Sequence, residues 1–238
     1  MKNKNDFQYS DTVWMIPVSL VFLIWFVYWV EIKFGLNFNK FGVYPRTLKG
    51  LKGVFTMHFI HGDTKHLFNN SVPLLVLMSS LFYFYKEVAF KVLIYGTLIT
   101  GLFTWIIARQ SYHIGASGVV YLLFSFVFFS GVIKKHYRLI AMSLVAIFLY
   151  GSMIWYLFPV KDGISWEGHL SGFIVGLFFA YCYRKRGVVK EKYEFTKTAF
   201  DDMFDDDGNY IPPVLEEEIN LDDDYEFTFR YFYQKEEE

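Results

Sequence analysis

The sequence predicts an all-α membrane protein: a bundle of six transmembrane helices with a long outer loop after the first, followed by an acidic C-terminal tail. Three observations lead there. Of the 238 residues, 54% are hydrophobic and 22% aromatic, a content that excludes an intrinsically disordered chain. The apolar residues are gathered into runs of spanning length, separated by short polar stretches. The charge is divided: residues 1–192 carry 20 Lys/Arg against 8 Asp/Glu, and residues 193–238 carry 3 against 16, a contrast hidden in the net charge of −1. That asymmetry belongs to a membrane-associated body with an acidic appendage, and the tail excludes nucleic acid as the obvious partner. The body is therefore taken as 1–192 and the tail as 193–238. A single cysteine, Cys182, forms no internal disulfide and no cysteine-rich metal site.

The first span covers about 13–34 and opens with an uncharged run, Val13 to Val30. It is too long for a signal-peptide core and has no small-residue cleavage site after it, so it reads as a retained anchor despite Lys2 and Lys4 upstream. Five further spans follow at about 67–85, 88–108, 114–133, 139–158 and 168–183. Their separators are polar: Lys86-Glu87, Arg109-Gln110-Ser111, Lys134 to Arg138, and Pro159 to Glu167. With six spans, Lys2, Lys4, Lys86, the Lys134–Arg138 cluster and Arg184–Arg186 share one side. Positive residues face the cytoplasm, so both termini are placed there. The loop 35–65 is then outside although it carries Lys40, Arg46, Lys49, Lys52 and Lys65. Its Gly42, Pro45, Gly50 and Gly53 argue against one continuous helix and for a folded, partly embedded element. In the tail, Asp205-Asp206-Asp207-Gly208 fails the calcium-loop pattern, because Met203 would occupy the first ligand position. A solvated, largely disordered tail is expected, with the aromatics of 225–233 able to order against a cytoplasmic partner.

Polar residues inside spans are costly and mark function. They enter at three places: His66-Leu67-Phe68-Asn69-Asn70-Ser71, Gly115-Ala116-Ser117-Gly118, and Gly168-His169-Leu170-Ser171-Gly172 continuing to Gly176. These open the second, fourth and sixth spans, which all run from outside to inside. The three sites therefore lie at one face and similar depth. His66 and Asn70 share a helix face, as do Ser117 and Tyr121. Gly168, Gly172 and Gly176 form a stripe of small residues that admits a neighbouring backbone, with Gly115 and Gly118 on the segment opposite. Taken singly, Ser117 reads as an N-cap, His169 as an interfacial histidine bonded to a carbonyl, and Asn70 as interhelical glue worth about 0.6–2 kcal/mol. Their joint occurrence at one depth favours a Ser–His site.

On these motifs the chain resembles the rhomboid family of intramembrane serine proteases, over roughly residues 42–183. The resemblance rests on His66-x-x-x-Asn70, Gly115-x-Ser117-Gly118 with Tyr121, and His169-x-x-Gly172-x-x-x-Gly176. It implies a six-helix core and cleavage of membrane-protein substrates, single-span or multi-span, near the outer surface of the bilayer. Ser117 would be the nucleophile and His169 the general base. Tyr121 would orient the imidazole, and Asn70, His66 and the Ser117 amide would hold the oxyanion. No cofactor and no metal is implied, and the localisation would be a bacterial inner or plasma membrane. No acid is placed to orient His169, since Glu167 faces elsewhere on the helix, so slow turnover is expected. The outer loop departs from the family in carrying Tyr44-Pro45-Arg46 where a Trp-Arg pair is common, which leaves Arg46 without a carried-over role. His58 and His61 are expected to line the cavity mouth, and Trp155, Tyr156 and Phe158 to lie at a lateral gate. The competing readings are a catalytically silent adaptor or chaperone that binds transmembrane helices, and a metalloenzyme using His58, His61, His66, His113 and His169. A transporter is less favoured, for want of an intramembrane charge array.

Overall fold

The computed structural model describes residues 10–150, 155–161, 163–188 and 197–211. Two compact units divide the chain, Met1–Glu191 and Lys192–Glu238. The first contains eight α-helices among its described residues: α1 Thr12–Lys33, α2 Leu48–Leu51, α3 Gly53–Thr56, α4 Thr64–Phe84, α5 Ala89–Ile107, α6 Ser117–Lys134, α7 Tyr137–Tyr150 and α8 Trp166–Cys182. No strand is present among those residues, only isolated bridges such as Val43 with His113. Four helices, α1, α4, α5 and α6, are long and apolar enough to cross a membrane. Within the expected fifth span, 139–158, the described residues form an α-helix as far as Tyr150 and a 3-10 turn at Trp155–Leu157. Pro159 and Gly163 follow and break any regular continuation.

Burial separates the helices by role. Helix α6 is buried on every side from Ser117 to Val127, as a helix apolar all round must be when it is central. Helix α1 has the highest mean hydropathy of the four, 2.2, yet only Val13, Pro17 and Ile24 are buried. Phe22 is 70% and Trp29 54% exposed. An apolar surface of this extent is stable against lipid and not against water. In lipid there is little hydrophobic drive between helices, so association rests on packing and on satisfied polar groups. Hydroxyls follow that rule: Ser71, Ser80, Thr104, Ser143 and Ser171 each donate to the carbonyl four residues back, at 2.7–2.8 Å. Trp25 of α1 donates to the Ser71 hydroxyl at 2.9 Å and pins α1 to α4.

Helices α6 and α8 meet backbone to backbone. A Cβ on Gly172 would strike the Gly118 carbonyl oxygen, and one on Gly176 the Leu122 carbonyl oxygen. Gly168 is different, because its nearest neighbour would be the Ser165 hydroxyl at 2.9 Å. The loop between α1 and α4 is folded into short turns, as its glycines suggest. Arg46 crosses it, with its guanidinium donating to the carbonyls of Ile106 at 3.1 Å and Ala108 at 2.7 Å. It thereby caps the C-terminal end of α5, where unpaired carbonyls and the helix dipole favour a cation.

In the second unit, the Asp201–Met203 turn is followed by a bridge between Phe204 and Tyr210. The Asp205 carboxylate accepts from the amides of Asp207 and Asn209 inside it. The acidic runs at 216–218, 222–224 and 236–238, the aromatic stretch 225–233, and Lys2 and Lys4 lie outside the described residues.

Candidate active site

Helix α6 begins at Ser117, after a turn that needs glycine: Gly115 has φ +111°, in the left-handed region. The Gly115 amide donates to the Met57 carbonyl at 2.8 Å, and the Ala116 amide to His61 Nε2 at 3.3 Å. Space is tight as well, since a Cβ on Gly115 would lie 2.7 Å from the His66 ring and 3.8 Å from Asn70 Nδ2. The serine turn is thus laid directly against the His66–Asn70 face of α4. As the first residue of α6, Ser117 has an amide with no intrahelical acceptor.

Helix α8 presents His169 to the same point. Its Nε2 is 2.9 Å from Ser117 Oγ, and its Nδ1 is 2.8 Å from the Tyr156 carbonyl oxygen. A carbonyl only accepts, so Nδ1 carries the proton and Nε2 offers its lone pair to the serine O–H. The Tyr121 ring stacks on the imidazole at 4.3 Å with an interplanar angle of 14°. Ser117 and His169 are 6% and 3% exposed. They stand at the base of a cavity of about 750 Å³ whose walls include His66, Asn69, His113, Tyr156 and Ser165. Asn70 is fully buried, and neither atom of its amide has a hydrogen-bond partner. An unpaired buried amide costs about 1–3 kcal/mol.

Residues 49–186 match the family model described as the Rhomboid domain. The chain belongs to the rhomboid family. Its relatives include uncharacterized proteins of Mycobacterium bovis and Mycobacterium tuberculosis, each 31% identical over 175 residues, covering 69% of this chain and 72% of the relative. An uncharacterized protein of Mycobacterium leprae is 31% identical over 160 residues, covering 59% of this chain and 61% of its own length. The helical architecture and the apolar helices fit an all-α rhomboid membrane fold, and this rhomboid is an integral membrane protein.

Most residues singled out in the sequence come together in this rhomboid: Ser117, His169, Tyr121, His66, Asn70 and the Gly115, Gly118 and Gly172 contacts. His58 and His61 do not line the cavity. They are 3% and 1% exposed and packed behind the serine turn, His61 as the acceptor for Ala116. Burial pushes His58 down to about 4 and His61 to about 3. Glu167 turns away from His169 and pairs with Arg109 at 3.3 Å. Among the described residues, no group of three or more His, Cys, Asp or Glu is arranged to hold a metal ion. Two features escaped sequence reasoning. The Tyr156 acceptor is a backbone carbonyl, which no side-chain pattern announces. Ser165 caps α8 by accepting from the Gly168 amide at 3.3 Å; a serine three residues ahead of that glycine, at the start of an apolar run, carries that signal.

Proposed function

We propose that this rhomboid is an intramembrane serine endopeptidase that hydrolyses peptide bonds in or near transmembrane segments of membrane-protein substrates. The observation that carries the reading is the Ser117 Oγ–His169 Nε2 hydrogen bond of 2.9 Å at the base of a cavity. Ser117 attacks the scissile carbonyl while His169 accepts its proton; the resulting imidazolium then protonates the leaving amine. Water repeats the sequence on the acyl-enzyme and frees Ser117. The developing oxyanion is received by the Ser117 amide at the α6 N-terminus, with Asn70 and His66 as further donors. Because Nδ1 faces a neutral carbonyl and not a carboxylate, the imidazolium gains orientation but little charge compensation. Turnover slower than that of soluble triad proteases follows.

The topology that suits this chemistry has six spans, with α7 and α8 joining the four longer helices, and both termini cytoplasmic in a bacterial inner or plasma membrane. The acidic tail then meets cytoplasmic partners and not substrate. The competing reading is a silent adaptor that binds transmembrane helices without cutting them. Labelling with a fluorophosphonate probe separates the two: wild type should label, Ser117→Ala should not, and Ser117→Ala and His169→Ala should each abolish cleavage of a model single-span substrate. Cleavage that persists in Ser117→Ala rejects the serine mechanism.

A further inference from the structure

Two loops flank the cavity, one leading into Ser117 and the other into His169, and side chains cross-link them. His113, four residues before Ser117, places Nδ1 2.6 Å from the Ser165 hydroxyl, four residues before His169. Its Nε2 lies 2.9 Å from the Arg109 carbonyl and 3.2 Å from the Ser111 hydroxyl. The carbonyl fixes the tautomer, so Nε2 donates and Nδ1 accepts from Ser165 O–H. Ser165 Oγ in turn accepts from the Gly168 amide at 3.3 Å. Alongside, Arg109 grips Glu167 by its amide at 3.2 Å and its guanidinium at 3.3 and 3.4 Å, and donates to the Ile164 carbonyl at 2.7 Å. His113 and Glu167 are 1% and 3% exposed. The His113 backbone is itself anchored by paired hydrogen bonds with Val43 at 3.0 and 2.8 Å.

We infer that His113, Ser165 and the Arg109–Glu167 pair are positioning residues for the proposed reaction: a polar brace that sets the distance between Ser117 and His169. This rests on the protease reading. His113 and Ser165 each lie four residues from a dyad residue and Glu167 two, so slack in the brace is transmitted to the dyad. A misplacement of about 1 Å in such a site can cost on the order of 100-fold in rate. None of the four side chains contacts Ser117 or His169 in a hydrogen bond, so they act through the backbone.

The test uses the full chain in liposomes with a model single-span substrate, read by kcat, KM and hydrogen exchange of backbone amides. His113→Ala should lower kcat by about 10- to 100-fold with KM changed less than about twofold. His113→Asn, which keeps an acceptor near the Nδ1 position, should recover part of that loss. His113→Ala combined with Ser165→Ala should cost no more than the worse single change, because both remove one link. Amide exchange over 166–169 should rise in His113→Ala. Glu167→Gln, which keeps the shape of the side chain, should act in the same direction and serves if His113→Ala fails to fold. Unchanged kcat, or a fall in kcat without faster exchange over 166–169, overturns the brace. Wild type that neither labels nor cleaves, with exchange still responding to His113→Ala, defeats the protease reading while the loop brace survives.

Discussion

His169 makes two hydrogen bonds with different consequences. The bond to Ser117 is the proposed chemical step, and the bond to the Tyr156 carbonyl decides which nitrogen is free to perform it. The oxyanion assignment is finer, because two adjacent amides compete for it. Asn69 lies on the cavity wall, whereas Asn70 is buried with an unpartnered amide beside the serine turn. A donor held unpaired in the resting site gains most when charge develops near it. Asn70→Ala is therefore expected to lower kcat by about 100-fold or more, the usual range for losing an oxyanion donor, and Asn69→Ala by less than about tenfold. Steady-state rates on one substrate decide the matter, and the reverse order would transfer the role to Asn69. The dyad was legible in the sequence because Ser117 and His169 are polar intrusions into apolar runs. Tyr156 was not, since the group that matters is its carbonyl, and His58 and His61 misled because a histidine near an outer loop says nothing about which way it packs.

At the scale of the element, the contact between α6 and α8 carries both stability and geometry. The small-residue stripe was visible as spacing, but spacing treats Gly168, Gly172 and Gly176 alike, and the packing does not. A methyl group on Gly172 would meet the rigid Gly118 carbonyl, one residue from Ser117, whereas one on Gly168 would meet no backbone but press on the Ser165 hydroxyl held by His113. Gly172→Ala should cost about 1–3 kcal/mol of stability and lower cleavage by more than tenfold, and Gly168→Ala should cost markedly less stability while lowering cleavage through the displaced Ser165 hydroxyl. Denaturation in mixed micelles alongside cleavage assays checks both; equal losses of stability would mean that the stripe is merely a spacer. Span recognition worked where apolar runs are uninterrupted, as in α1, α4, α5 and α6. Over 139–158 aromatic residues such as Trp155 and Tyr156 carry the hydrophobic pattern without specifying an α-helix, and Trp155–Leu157 form a 3-10 turn.

For the molecule as a whole, the buried histidines behind the serine turn make folding sensitive to acid. The ordinary histidine value is 6.5, and burial lowers His58 to about 4 and His61 to about 3; burial also lowers His113. Between those values and 6.5 the unfolded chain binds more protons than the folded one, so stability rises with pH through that window. The full contribution is present above about pH 6.5 and is lost as pH falls toward 4. By pH 5 the loss is about 2 kcal/mol for each of His58 and His61, one pKa unit being worth about 1.4 kcal/mol. Thermal unfolding in detergent should therefore show a midpoint several degrees lower at pH 5 than at pH 7.5. His58→Leu removes one titrating group without touching the His61–Ala116 bond, so its midpoint should fall less over the same interval. A wild-type midpoint that is flat in pH, or a His58→Leu slope equal to that of wild type, would show that these rings do not titrate with unfolding. His61 accepts from the residue preceding Ser117 and, with its folded-state value at about 3, stays neutral at pH 5, so this support of the serine turn persists as long as the protein is folded. Any loss of cleavage at pH 5 that comes through this bond should therefore track unfolding and not precede it.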